Sequence, residues 1–441
     1  MQVRFALLVF LLALAGCAPA STPGTIRDLQ VLPQDVLAYM DKDKLDQPLL
    51  SPERQKQLAQ DYARQWSAVW EPTLKAPSRQ AVQKRFDELA AQPGYGPNVN
   101  LLTNAVVAKW TNLAALESYP SANETAITTC NTNLRALPTN WPRLDDPDKA
   151  GSGFPFDTLQ ESALWVGTPL RVWHRTSDRA WVFVSSPCGD GWVAAGDLAD
   201  VSPESRRGMT DQTLAAIIHD GSALYEKDSG EFISRVYIGS VFPAVMQHHT
   251  QMFVLIATGG PTHTLATAAS TVPVGGAFMP LPMTPRNVAR IANQMLGQPY
   301  GWGGAYELRD CSSTMRDIMT PFGIFLPRNS AAQAAAYRSV DLSSMSGEEK
   351  ERRVLKDGKP FLTLLTFPGH IGLYIGQRDG RVIMLHNFWG IRTLVNGVEG
   401  RHVIGRCSIT TLQPGMELPE HDPVKADLRS KLQSMTFLGE R

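Results

Sequence analysis

Cys311, His370 and His386 are the residues of this chain whose types and spacing could do covalent chemistry. Cys311 stands between Asp310 and Ser312, and Met315, Ile318 and Met319 follow it at four, seven and eight residues. That spacing is the apolar stripe of a core-facing helix. Asp310, Ser312 and Ser313 are helix-start residue types, so Cys311 is expected at a helix N-terminus. Unpaired N–H groups and the macrodipole there favour negative charge and lower a thiol's pKa. A thiolate is the nucleophile of covalent acyl transfer, and it needs a base that a third group orients. His370 opens the apolar run His370–Ile375, and the run Val382–Leu385 ends at His386. If residues 377–381 connect two paired strands, Gly376 pairs with Val382 and His386 falls opposite Gly372. Strand alternation then puts both imidazoles on one face, roughly 5–8 Å apart. A one-residue slip would turn His386 to the other face, so the register must be this one or a bulged equivalent. Asn387 is the alternative orienter. The expected step is attack of Cys311 on an amide carbonyl, with His370 protonating the leaving amine and His386 fixing the tautomer. The N–H of Cys311, with a nearby Gly or Tyr300, is expected to face the oxyanion.

The elements around these residues carry a resemblance. The loop Pro299-Tyr300-Gly301-Trp302-Gly303-Gly304 runs into Asp310-Cys311-Ser312; Leu326-Pro327-Arg328-Asn329-Ser330 and Gln333 follow, then Gly369-His370-Ile371-Gly372-Leu373-Tyr374-Ile375-Gly376. In that order the three motifs resemble the NlpC/P60 family of cell-wall cysteine peptidases, over about residues 286–415. The resemblance implies a papain-like catalytic domain in which His370 is the base and His386 the third polar residue. It departs from the family at Ser313, where Gly is usual. Relatives with SH3-type barrels ahead of the peptidase cleave the γ-D-glutamyl–diamino acid bond of peptidoglycan stem peptides, some requiring a free N-terminal L-Ala. By that resemblance Asp310, Ser312, Asn329 and Ser330 line the S2 and S1 pockets. The family often has Asp where this chain has Asn329, and Asn cannot neutralise an ammonium. Glu161 is the candidate to supply that charge from the first barrel, and Trp192 is either a pocket wall or core. Trp302 is expected to pack. Two readings from other classes stand beside this one: a non-catalytic peptidoglycan-binding lipoprotein, and an acyltransferase or deamidase on the same core.

The rest of the chain sets the frame. Its 441 residues imply several domains, and 43% hydrophobic content is ample for their cores. With 42 basic and 42 acidic residues and no basic run, composition argues against a nucleic-acid partner. Met1–Ala15 has signal-peptide character and is too short to span a bilayer. Leu14-Ala15-Gly16-Cys17 resembles the bacterial lipoprotein signal, which implies lipidation at Cys17 and an exported, lipid-anchored protein. In a Gram-negative host, Ala18 resembles outer-membrane sorting facing the periplasm. A Cys130–Cys188 bridge is possible in an oxidising compartment, and Cys407 reads as a packed hydrophobe. Neither CxxC nor HExxH occurs, so neither a zinc site nor a cofactor is expected.

Residues 18–139 read as an extended arm and a helical region, where Leu58, Tyr62, Trp66 and Trp70 form a packing stripe. Short strands over 140–205 resemble a bacterial SH3-type barrel, and a weaker set over 206–283 reads as a second. The peptidase domain takes 284–441. The fold expected is a multidomain α+β chain, monomeric, with stem peptides or muropeptides as partners.

Overall fold

The computed structural model describes residues 25–248, 251–257, 265–270 and 275–440, so Cys17 and the signal segment lie outside the described residues. Among the described residues, no helix is long and apolar enough to cross a membrane.

The N-terminal region is helical: α1 (Arg27–Val31), α2 (Pro52–Ser67), α3 (Arg79–Ala91) and α4 (Asn104–Ala114). The longer three start on Ser51, Ser78 and Thr103, whose hydroxyls accept the N–H three residues on. The aromatic stripe of α2 is packing, as expected. Leu58 enters the catalytic core, Tyr62 meets Phe325 edge-on, and the Trp70 indole donates to Ala126 O and Leu170 O, 3.1 Å each. α2 and the turn that follows it thus hold the catalytic unit and the first sheet together.

Two seven-stranded antiparallel sheets follow. The first contains β1 (Glu124–Thr128), β2 (Thr132–Arg135), β3 (Gln160–Leu164), β4 (Pro169–Arg175), β5 (Trp181–Ser186), β6 (Gly189–Ala194) and β7 (Leu198–Asp200), in the order β3-β2-β6-β5-β4-β1-β7. It begins at Glu124, earlier than the boundary at 140 expected from sequence; β1 and β2 are short and polar and carry little alternation. Trp192 is fully buried between Phe86 of α3 and Phe183 of β5, a core residue and not a pocket wall. After α5 (Pro203–Thr210) the second sheet comprises β8 (Leu214–Ile217), β9 (Ser222–Glu226), β10 (Phe232–Val236), β11 (Val241–His248), β12 (Gln251–Ala257), β13 (Leu265–Ser270) and β14 (Gly276–Phe278). Its core includes Leu224, Phe242, Val254 and Ile256. Cys130 and Cys188 are both free thiols. The Cys188 sulfur lies 2.8 Å from Arg316 Nη1.

The catalytic unit sets α6 (Pro285–Ala292), α7 (Cys311–Met319) and α8 (Ser330–Ala335) with a six-stranded sheet, β15-β20-β16-β17-β18-β19. Its strands are β15 (Arg338–Asp341), β16 (Thr363–Phe367), β17 (His370–Arg378), β18 (Arg381–Val395), β19 (Val398–Thr411) and β20 (Ser434–Phe437); α9 (Gly347–Asp357) and α10 (Leu428–Lys431) complete the unit. Met315, Ile318 and Met319 of α7 are fully buried in one core with Ile371, Leu373 and Ile375 of β17.

Candidate active site

Asp310 starts α7 and locks its first turn. Its Oδ1 accepts the Ser313 N–H at 2.8 Å, while the Ser313 hydroxyl accepts the Asp310 N–H at 2.9 Å, a reciprocal capping box. Ser313, the departure from the expected Gly, is therefore used: it is buried in helical backbone and closes the cap. Cys311 is the first helical residue. Its sulfur accepts the backbone N–H of Ile371, the residue after His370. The nucleophile candidate thus lies at the start of β17.

The hairpin reaches the expected register by another route. The connection is only Asp379-Gly380, both at positive φ, +52° and +72°, which suits a tight two-residue turn. That turn alone would misalign the strands by one residue. A bulge between Tyr374 and Gly376 restores the pairing, so Leu373 faces Leu385 and Tyr374 faces Met384. Gly372 then lies beside His386, where an added Cβ would sit 3.0 Å from the His386 Cβ and 2.5 Å from the Met384 sulfur. A side chain at Gly372 would crowd both Met384 and the base of the His386 side chain.

The two imidazoles meet directly. His370 Nε2 is 2.8 Å from His386 Nδ1, and His386 Nε2 is 2.9 Å from Thr410 Oγ1. The Thr410 hydroxyl donates to Thr411 O at 2.7 Å, so it accepts from His386. This assigns the proton of His386 to Nε2, leaves its Nδ1 as acceptor, and makes His370 Nε2 the donor. His370 Nδ1 is then unprotonated, the state required of a base toward the thiol. Phe388 stacks on His386, with centroids 4.1 Å apart and planes 10° off parallel. Asn387 does not orient the base: its Nδ2 donates to Arg309 O and Thr314 Oγ1.

The electrostatics differ from the expectation of a thiolate. Burial, reinforced by the charge of Asp310, pushes the Cys311 thiol up to about 12, outweighing the Ile371 N–H, the Arg328 guanidinium and the Ser312 N–H. Burial holds His370 down at about 4 and His386 well below the ordinary imidazole value. At rest the Cys311 thiol and the His370 imidazole are both neutral.

Asp310 itself stays ionised. Burial opposes its charge, but the Arg328 guanidinium and the Ser313 N–H outweigh burial and hold the carboxyl below the usual range. Arg328 Nη2 reaches Asp310 Oδ2 at 2.6 Å, Nη1 bonds Ser312 Oγ at 2.9 Å, and Nε bonds Ser162 Oγ of β3 at 2.9 Å. With Gly303 N–H on Oδ2 as well, the carboxylate has no acceptor left for a substrate ammonium. Asp310 and Ser312 brace the site through Arg328. Asn329 is the N-cap of α8, accepting the Ala332 N–H at 2.8 Å, and Ser330 is its first residue.

Glu161 is the clearest misplacement. It pairs with Arg85 of α3 at 2.8 Å, on the side of the helical region, while its neighbour Ser162 reaches the site through Arg328. Adjacent residues of a strand face opposite ways, and the sequence did not say which face of β3 meets the peptidase. Sequence reasoning also missed Thr410 and Arg328. Arg328 lay inside a quoted motif as a cation among capping residues; Thr410 carries no local signal.

Tyr300 lies at the same centre: burial and the nearby carboxylate of Asp310 push its phenol well above the ordinary value, so it remains a donor. Tyr300, Trp302, Phe156 and Trp389 wall a cavity of about 370 Å³ that includes His370 and His386. Trp302 packs edge-on against Phe156, centroids 5.2 Å apart, which brings the β2–β3 loop of the first sheet over the cleft. Among the described residues no cluster of His, Cys, Asp and Glu suits a metal ion.

Three family models match the sequence: NlpC/P60 family over residues 297–396, NLPC_P60 stabilising domain, N term, over 5–119, and SH3 domain (SH3b1 type) over 142–194. Among solved structures, a novel NlpC/P60 endopeptidase from Photobacterium damselae subsp. piscicida is similar, with TM-score 0.83 and 24% identity over 92% of this chain and 97% of that one. At that identity the likeness is one of fold. An NlpC/P60 family protein from Bacillus cereus aligns with TM-score 0.47 and 16% identity, over 71% of this chain and 99% of its own. No curated protein matches the sequence.

Proposed function

The chain belongs to the NlpC/P60 family, a family of cysteine peptidases, and from that premise we propose that it hydrolyses the amide between γ-D-glutamate and the diamino acid of peptidoglycan stem peptides. The observation that carries this reading is the His370–His386–Thr410 relay, on the strand whose Ile371 N–H meets the Cys311 sulfur at the start of α7. His370 Nδ1 takes the thiol proton as Cys311 attacks the carbonyl, because neither partner is charged beforehand. The oxyanion is met by the N–H of Cys311, which has no intrahelical partner by position, and by the Tyr300 phenol. His370 returns the proton to the leaving amine, and water then releases the acyl group by the same path in reverse.

The preferred substrate is a peptide with a free N-terminal L-Ala. The support is the wall that the first sheet builds on the acyl side, where Ser162 joins Arg328, which in turn holds Asp310 and Ser312. Such a wall leaves little space for a glycan on the L-Ala nitrogen. Asn329 and Ser330, at the open start of α8, are the residues that touch the acyl half. The protein works as a monomer at the cell envelope, tethered by lipid on Cys17. The test compares kcat/KM for free L-Ala-γ-D-Glu-diaminopimelate with the rate on intact sacculi. Much faster cleavage of the free peptide is expected; equal rates would replace this reading with a wall-remodelling endopeptidase.

A further inference from the structure

The cavity beside the imidazoles has a basic far end. Arg392 and Arg401 face each other across the β18–β19 hairpin, and Lys425 and Lys431 come from the C-terminal segment; all four line the same cavity as His370 and His386. Two acids oppose them. Glu399 bonds Lys425 Nζ and lies 3.8 Å from Arg392 Nη1. Asp422 is buried, and its Oδ1 already accepts the N–H groups of Val424 and Lys425. The end keeps an excess of positive charge. Burial and the neighbouring Arg392 hold both Lys431 and Arg401 below their ordinary ranges, the mark of cations kept together without enough anion between them.

The chemistry fixes which half of a substrate lies there. The imidazole must hand its proton to the departing nitrogen, so the leaving residue lies on the imidazole side of the sulfur. This cavity occupies that side: His370 and His386 line it, whereas Ser312, Asn329 and Ser330 do not. Arginines suit carboxylates in a partly enclosed site because their planar fork bonds both oxygens.

We infer that the basic end is the leaving-side subsite, selecting a departing residue that carries free carboxylates through Arg392, Arg401 and Lys431. The inference rests on the peptidase reading above and adds what that site selects. A dicarboxylic diamino acid is accepted, while lysine or an amidated counterpart, with less negative charge to offer, is disfavoured.

The experiment measures kcat and KM for L-Ala-γ-D-Glu-diaminopimelate and for the same peptide with the carboxylates of its last residue converted to carboxamides. Native protein is compared with the Arg392→Gln/Lys431→Gln double variant. For native protein the amidated peptide should show a KM about tenfold higher, with kcat changed less than about threefold, and high salt should narrow the gap. In the double variant the KM gap between the two peptides should close. Lys425→Gln, at an exposed position, should close part of it without risk to folding. Equal KM values for native protein, or a gap that survives both variants, would overturn the subsite. If neither peptide is cut, the proposed function fails instead. Calorimetry with free diaminopimelate then decides the subsite: binding weakened by the double variant supports it, and none or unchanged binding refutes it.

Discussion

The centre of the account is a proton path whose polarity is set by one hydroxyl. Thr410 donates onward to Thr411 O, so it can only accept from His386, and that choice leaves His370 Nδ1 free to take a proton. Thr410→Val should therefore lower kcat about tenfold or more with little change in KM, because His386 then has no fixed tautomer. Unchanged kcat would show that the hydroxyl is a bystander. The pH profile tests the same residues. His370 is held down at about 4, against an ordinary 6.5, so its base form survives as pH falls through the normal histidine range. The acid limb of kcat/KM should lie between those values, and thiolate ultraviolet absorbance should be missing at neutral pH because Cys311 is pushed up to about 12. An acid limb at or above 6.5, or a thiolate at neutral pH, would contradict the neutral pair. Cys311, His370 and His386 were legible in sequence because helix signals and strand alternation fix them locally. Thr410 was not, since a threonine reaches the site only through strand pairing some twenty residues away in the chain. Glu161 was misplaced because the face of β3 turned to the peptidase depends on packing between domains, which alternation alone does not reveal.

At the scale of elements, close approach and buried charge hold the loop before α7. Gly303 has φ +61°, and a Cβ there would stand 2.5 Å from Gln160 O of β3. Gly303→Val should cost about 1–3 kcal/mol from backbone strain and prise the first sheet from the site. Thermal unfolding measures the cost, and a stability equal to native would mean the loop is not pressed on β3. One residue before the nucleophile's cap, Arg309 is fully buried between Asp220 of the β8–β9 connection, at 2.7 Å, and Asp317 of α7, at 2.8 Å. Asp220→Ala strips one partner from a buried cation and should destabilise by about 3–5 kcal/mol. Melting unchanged in that variant would remove the second sheet from any part in holding the site. The glycine pair Gly303-Gly304 was visible in sequence as a loop signal, but its reason, a strand of another domain lying against it, was not. The hairpin shows the reverse: the register was foreseen, while its short turn and compensating bulge came from backbone geometry that residue types do not encode.

At the scale of the molecule, the arm, helices and two sheets surround the peptidase and close one side of its cleft. The arm is tied to the catalytic sheet by Gln34, whose amide exchanges 2.9 Å bonds with the backbone of Ile409, and by Asp28 on Thr411. The domain order was readable from texture, helical stripe then short strands then motif, because each unit has its own period. How the units dock was not, since it depends on single contacts such as Ser162 with Arg328. The lipid tether proposed at Cys17 predicts that Cys17→Ser moves the protein out of the membrane fraction; a native protein already soluble in cell fractionation would refute it. The central claim is that Cys311, served by His370, cuts the γ-D-glutamyl bond. Mass spectrometry of products from one defined peptide, L-Ala-γ-D-Glu-diaminopimelate-D-Ala, tests it most directly, with native protein and Cys311→Ala in parallel. Native protein should yield L-Ala-D-Glu and diaminopimelate-D-Ala, and the variant should leave the peptide intact. Cleavage at any other bond, or the same products from Cys311→Ala, would contradict it.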